Sequence, residues 1–233
     1  MNFDWVPKYA GLFAQGLLTT IELVVLSGIM GFALAILVGF GRISRNPLIF
    51  GLASAFTSVI RGTPLLVQIF LFYFGLGSLF ALFPEIKSTF FFKQFLRDGF
   101  LYLVLSLTLS VGGYVGEVVR GALLSVPRGE LEAARAYGFH GTKLVWRIWL
   151  PRALQSMMPT FAGETVLLLK STALASSVAV VDLLGAANKV RSDTLLTYEP
   201  LLFVAVAYFV STLLIEAGFR RFERHYAKTH RPA

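Results

Sequence analysis

Cysteine is absent from the 233 residues, which excludes a disulfide framework and any cysteine-based metal site. Charge is scarce too, at 15% Asp, Glu, Lys and Arg, against about 25% in soluble domains. The dipeptide Gly-Lys occurs nowhere, so no lysine follows glycine as a phosphate-cradling P-loop requires. The three histidines, His140, His225 and His230, show no metal-ligand spacing. No paired-carboxylate, histidine-metal or nucleophile constellation is visible, which argues against an enzyme. The start, Met1 to Tyr9, sets Asp4 against Lys8 without a basic n-region or a small-residue cleavage site, so it does not read as a cleavable signal peptide.

What the chain has instead is apolar surface. Hydrophobic residues make up 56% and the mean hydropathy is +0.71, more than a soluble globule of about 45–50% apolar residues would hide. Apolar runs of about 20 residues recur, enough to cross a hydrocarbon core of about 30 Å. The runs predict an all-α integral membrane protein with five transmembrane helices, near 13–40, 52–76, 99–120, 155–180 and 200–219. Residues 1–12 form a short leading segment, 13–220 the membrane domain, and 221–233 a basic tail. Arg61-Gly62-Thr63-Pro64 reads as the entry to the second span, with Arg61 anchoring its cytoplasmic end. In the third span Gly112 and Gly116 lie four residues apart, where a neighbouring helix can approach closely. Asp182 to Glu199 reads as a mixed-charge loop.

A net charge of +8 would suggest nucleic acid in a soluble domain. Here the basic residues sort by side. The turn after span one, the segment 120–152 and the chain from Phe219 onward hold 13 of the 21 Lys and Arg, while the opposite segments hold 6. Short basic loops stay in the cytoplasm, so the N-terminus is expected outside and the C-terminus inside.

The segment between spans three and four runs Pro127-Arg128-Gly129-Glu130-Leu131-Glu132-Ala133-Ala134-Arg135-Ala136-Tyr137-Gly138 and ends in Ile148-Trp149-Leu150-Pro151. Pro127 and Gly129 can open a helix, and Glu130 and Glu132 suit the positive end of its dipole. Leu131 and Ala134 share one face, Glu132 and Arg135 pair on another, and Gly138 suits a left-handed helix end. A second short helix is expected with Thr142 as N-cap. The alanines leave a narrow face that fits another protein's groove.

This stretch resembles the EAA loop of ABC importer permeases: Glu132-Ala133-Ala134, then Gly138, Ile148 and Leu150-Pro151 at the matching spacings. Thr19-Thr20-Ile21-Glu22-Leu23, Arg61 to Gln68 and Leu169 to Leu174 are similar to the polar amino acid branch. Glu130 to Phe139 and Ser171 to Ala175 look closest to permeases for histidine, lysine, arginine and ornithine, and to opine permeases. The resemblance implies a type-1 permease fold in the bacterial inner membrane. It also implies a second permease chain, copy or paralogue, two ABC ATPase subunits and a periplasmic amino-acid-binding protein. ATP and Mg would be bound by the ATPase partners, this chain carrying no cofactor. The coupling role then falls on Glu130, Glu132, Ala133, Ala134, Arg135, Gly138 and His140.

Ionisable residues within spans are costly and usually face a cavity or a partner. Glu164 is the one expected to face the pathway, where a cationic amino acid needs an acidic contact, and Lys170 with Ser171 and Thr172 is a candidate for the substrate carboxylate. An importer of an opine, or of a neutral or acidic polar amino acid, fits the same residues. A secondary transporter fits less well, since no internal repeat is visible.

Overall fold

The computed structural model describes residues 3–82, Glu85, Thr89 and 98–229. Among these, every regular element is a helix. α1 spans Val6–Gly41 and lies along α4, Phe100–Ser125. The two come close because glycine removes side chains at their contact. A Cβ on Gly112 would stand 2.5 Å from Leu34, and one on Gly116 would stand 2.7 Å from Val38. The close approach expected of the Gly112/Gly116 pair is thus made to α1.

The stretch read as one second span is two helices. α2, Pro47–Gly62, starts at Asn46, whose side chain accepts from the Leu48 N–H at 2.9 Å. α3, Leu65–Phe70, continues through a π-turn at Leu71–Leu76 into Gly77–Ala81, and the α2 and α3 segments meet at 105°. Pro64 lacks an N–H and disfavours helical backbone at the residue before it; Thr63 is accordingly extended. Gln68 braces the bend, its Nε2 donating to Ile60 O at 2.8 Å and to Thr63 Oγ1 at 2.9 Å. Arg61-Gly62-Thr63-Pro64 is therefore a break between two helices and not an entry to one.

α5 spans Arg128–Ala136 and α6 Gly141–Leu144. A π-turn at Val145–Trp149 leads into α7, Leu150–Ser171, which tightens to a 3-10 turn at Thr172–Val178. The expected loop 182–199 contains a further helix, α8, Leu183–Thr194. Asp182 caps it, with Oδ1 accepting from the Gly185 N–H at 2.8 Å. Its apolar face, Leu183, Ala186, Ala187 and Val190, is buried against Trp5, Phe13 and Val204. α9 spans Tyr198–Thr229. By length and composition α1, α4 and residues 198–221 of α9 suit a membrane crossing, and counting each bent pair as one span gives up to five.

Candidate functional site

The hairpin α5–α6 is seated by its own chain. Leu131 and Ala134 of α5 and Leu144 of α6 are buried with Val119 and Leu123 of α4 and Ala153 and Met157 of α7. Trp149 adds a donor, its Nε1–H reaching Leu123 O at 2.9 Å. Ala134 thus faces inward, packed against its own chain. Glu132, Ala133, Arg135, Ala136 and Tyr137 stand outward, Tyr137 at 86% exposure.

The corner after α5 is a Schellman turn. Phe139 N–H donates to Ala134 O at 3.0 Å and Gly138 N–H to Arg135 O at 2.9 Å. Gly138 has φ +85° and Gly141 φ +54°, with exposed His140 extended between them. His140, not Thr142, occupies the N-cap of α6, and it does so without a side-chain hydrogen bond. The helix begins at Gly141, so Thr142 lies already inside it.

The expected pairing of Glu132 with Arg135 does not form among the described ion pairs. Glu130 pairs instead with Arg152 on α7, Nη2 to Oε1 and Nε to Oε2 both at 2.7 Å. The Arg152 hydrogen bond holds the Glu130 carboxyl below the usual carboxylate range. A second charge cluster ties the neighbouring helix ends. Arg42 after α1 and Arg120 of α4 donate to the two oxygens of Glu117, at 2.6 and 2.8 Å. Glu117 has no local sequence signal apart from being a carboxylate near the end of an apolar span.

Further along the bundle, Glu164 lines a cleft of about 280 Å³ with Leu65, Ser110, Tyr114 and Ser171. Arg61 stands over the Tyr114 ring, its guanidinium carbon 5.8 Å from the centroid. At about 1.5 Å per residue, Arg61 lies about 21 Å along α2 from Pro47, Glu164 about 21 Å along α7 from Leu150, and Tyr114 about 16 Å back along α4 from Ser125. The Arg42–Glu117 pair ties the end of α1 to α4, and the Arg152–Glu130 pair ties the start of α5 to the start of α7. Arg61 lies in the last turn of α2, far along it from Pro47, and its side chain is exposed. The sequence sets Arg61 at a helix start and the structure sets it at a helix end, because the 105° bend at Thr63–Pro64 divides the apolar run in two.

The candidates for a substrate carboxylate part company. Ser171 reaches the cleft, although its hydroxyl donates to Leu167 O at 2.8 Å. Lys170 is exposed and does not line the cleft. Thr172 is fully buried, donates to Leu169 O at 2.7 Å, and faces the interior of its own chain. The 3-10 turn that begins at Thr172 changes the rotation per residue, so a face counted at α-helical spacing no longer holds. Close by in the chain, the buried Asp182 accepts from the Tyr208 hydroxyl at 2.8 Å, and the Leu183 N–H donates to Thr20 Oγ1 at 3.2 Å. This node joins α1, α8 and α9. Sequence reading missed it because Asp182 stood in an assumed loop.

No group of three or more metal-ligating side chains occurs among the described residues.

Residues 19–228 match the family model described as "Binding-protein-dependent transport system inner membrane component". The chain is 38% identical over 218 residues to the histidine/lysine/arginine/ornithine transport system permease protein HisM of Escherichia coli (strain K12), covering 94% of this chain and 90% of that one. It is 35% identical over 209 residues to the octopine transport system permease protein OccM of Rhizobium radiobacter, covering 90% and 83%. Among solved structures, a chain from an amino acid ABC transporter with histidines superposes at a TM-score of 0.79 and 30% identity, covering 97% of this chain and all of that one. A chain of the inward-facing MetNI methionine ABC transporter superposes at 0.75 with 21% identity, a likeness of fold alone.

Proposed function

The chain belongs to the family of binding-protein-dependent transport system inner membrane components, and from that premise we propose that it carries a cationic amino acid through the cleft at Glu164. It is a multi-pass inner-membrane permease of the type-1 ABC fold and part of an amino acid importer. A second permease chain, two ATPase subunits that bind ATP and Mg, and a periplasmic binding protein complete the assembly. The N-terminus lies outside and the C-terminus in the cytoplasm, the side that holds 13 of the 21 basic residues.

The observation that supports coupling most directly is the seating of α5. Its inner face, Leu131 and Ala134, is fixed in the permease core, while Glu132, Ala133, Arg135 and Tyr137 face outward at a glycine corner. A short helix held on one side and bare on the other fits a partner's groove. Glu130 positions its start through Arg152, and Gly138 with His140 sets the angle of the corner. Closure of the ATPases on α5 then moves α7 through Arg152 and the shared core.

Glu164 stands mid-depth on the same helix. A desolvated cation costs several kcal/mol unless a counter-charge offsets it, and Glu164 supplies that charge within the cleft. The relatives' names favour histidine, lysine, arginine and ornithine, with an opine as the second reading from the octopine and nopaline permeases. Reconstitution tests the reading: the complex with a P-loop ATPase should take up arginine into liposomes only with ATP and binding protein. Uptake driven by an ion gradient without ATP would overturn it.

A further inference from the structure

We propose that the groove between α1, α7 and α9 holds one anionic phospholipid, with its acyl chains lying in the groove and its phosphate meeting Arg221.

The groove has a volume of about 760 Å³. It runs between Val24 and Ile36 on α1, between Leu154 and Thr165 on α7, and between Leu214 and Phe219 on α9. Only two of its lining side chains are polar, and both have partners in the chain. The Thr165 hydroxyl donates to Phe161 O at 2.8 Å, and Gln155 Oε1 accepts from Arg152 Nη1 at 3.1 Å. Such a wall offers a polar solute little and removes hydrocarbon from water.

Its length suits one leaflet. Leu154 and Thr165 stand about 16 Å apart along α7, and half of a hydrocarbon core of about 30 Å is about 15 Å. The Phe40 and Trp149 rings touch, with centroids 5.8 Å apart, and set the end of α1 beside the start of α7. Ile36 and Leu154 lie toward that end, and Phe219 begins the basic end of α9. The sidedness given above makes it the cytoplasmic end and decides only which leaflet supplies the lipid.

The charge at that end selects the headgroup. Leu214, Gly218 and Arg221 stand at i, i+4 and i+7 on α9 and so share a face. Leu214 and Gly218 line the groove, which puts Arg221 just past its end on the same face. Arg220 is occupied by Glu216 at 3.1 Å, whereas Arg221 is exposed and makes no ion pair among the described residues. A guanidinium fork matches phosphate oxygens, and basic sites between helices on the cytoplasmic side hold lipid headgroups. A second copy of this chain is the poorer occupant, because this side of it carries 13 of its 21 Lys and Arg and would bring like charge to Arg221.

Gly218 makes the groove testable. A Cβ there would meet nothing within 4 Å, so Gly218→Leu fills the groove without displacing the chain, and leucine favours a helix over glycine. The purified permease–ATPase complex, stripped of lipid in detergent, is titrated with phosphatidylglycerol and separately with phosphatidylcholine of the same chains. Native mass spectrometry counts the lipids retained. Gly218→Leu should retain at least one lipid fewer of either kind. Wild type should hold that lipid about fivefold more tightly as phosphatidylglycerol, the scale of one arginine at an anionic surface, and Arg221→Gln should bring the two lipids level. Unchanged retention in Gly218→Leu overturns the site. Equal binding of the two lipids by wild type, or a preference that survives Arg221→Gln, overturns the phosphate contact. If Gly218→Leu instead releases the second permease chain, the groove is a subunit interface and the proposal fails.

Discussion

Arg152 grips Glu130 with two guanidinium nitrogens, each 2.7 Å from a carboxylate oxygen, and so joins the start of the exposed helix α5 to the start of α7. Both side chains are largely in solvent, and such pairs contribute about 0–1 kcal/mol. The value of the contact lies in position. Arg152→Glu or Glu130→Arg should leave the amount of assembled complex unchanged and lower substrate-stimulated ATPase activity severalfold, with basal hydrolysis kept. The double reversal should restore stimulation; if it does not, the pair has no coupling role. Because Glu130 is depressed below its unfolded value, the pair contributes fully above the ordinary carboxylate range. Its contribution is lost as pH falls through the depressed native value.

Gly138 offers a second test. A Cβ there meets nothing within 4 Å, so its φ of +85° is the sole obstacle to substitution. Gly138→Val should cost on the order of 1–3 kcal/mol locally by resisting that φ, and Gly138→Asn less. The valine variant should insert and assemble, yet lose both uptake and stimulated ATPase activity. Wild-type uptake would show that the corner angle is not needed.

Glu164→Gln retains shape and hydrogen bonding but removes charge. Uptake of arginine or lysine should fall by tenfold or more, as expected when a buried cation loses its counter-charge. Uptake of a neutral amino acid by the same assembled complex should change little. An equal fall for every substrate would make Glu164 a packing residue.

Sidedness can be read by labelling, because the chain has no cysteine of its own. Leu195→Cys, exposed beyond α8, should react with a membrane-impermeant maleimide in intact spheroplasts. Tyr137→Cys, exposed at the hairpin, should react only after permeabilisation. The reverse pattern would invert the topology.

The node at Asp182 predicts a stability effect separate from transport chemistry. Tyr208→Phe leaves the buried carboxylate without one donor, which costs about 1–3 kcal/mol. The purified variant should unfold several degrees lower. An unchanged melting temperature would mean that the hydrogen bond is not formed in the membrane.

Much of this protein is written in short windows of its sequence. Hydropathy averaged over about 20 residues sets its solvent, because lipid leaves backbone groups no partner outside a helix. The sorting of basic residues supplies the expected sides, and Pro127, Gly129 and Gly138 mark where the hairpin starts and turns. Those signals are local, since each depends on the φ and ψ preferences or the hydration of nearby residues. Tertiary packing decided what joins residues distant in the chain. It turned Ala134 and Thr172 inward, gave Glu130 to Arg152 instead of leaving Glu132 to Arg135, and made a capped helix of the segment after Asp182. It also brought Arg61 over Tyr114, and Tyr114 into one cleft with Glu164, from three helices whose relative rotation no single window encodes. A helix fixes which of its own residues share a face, but only the contact between helices decides what that face meets.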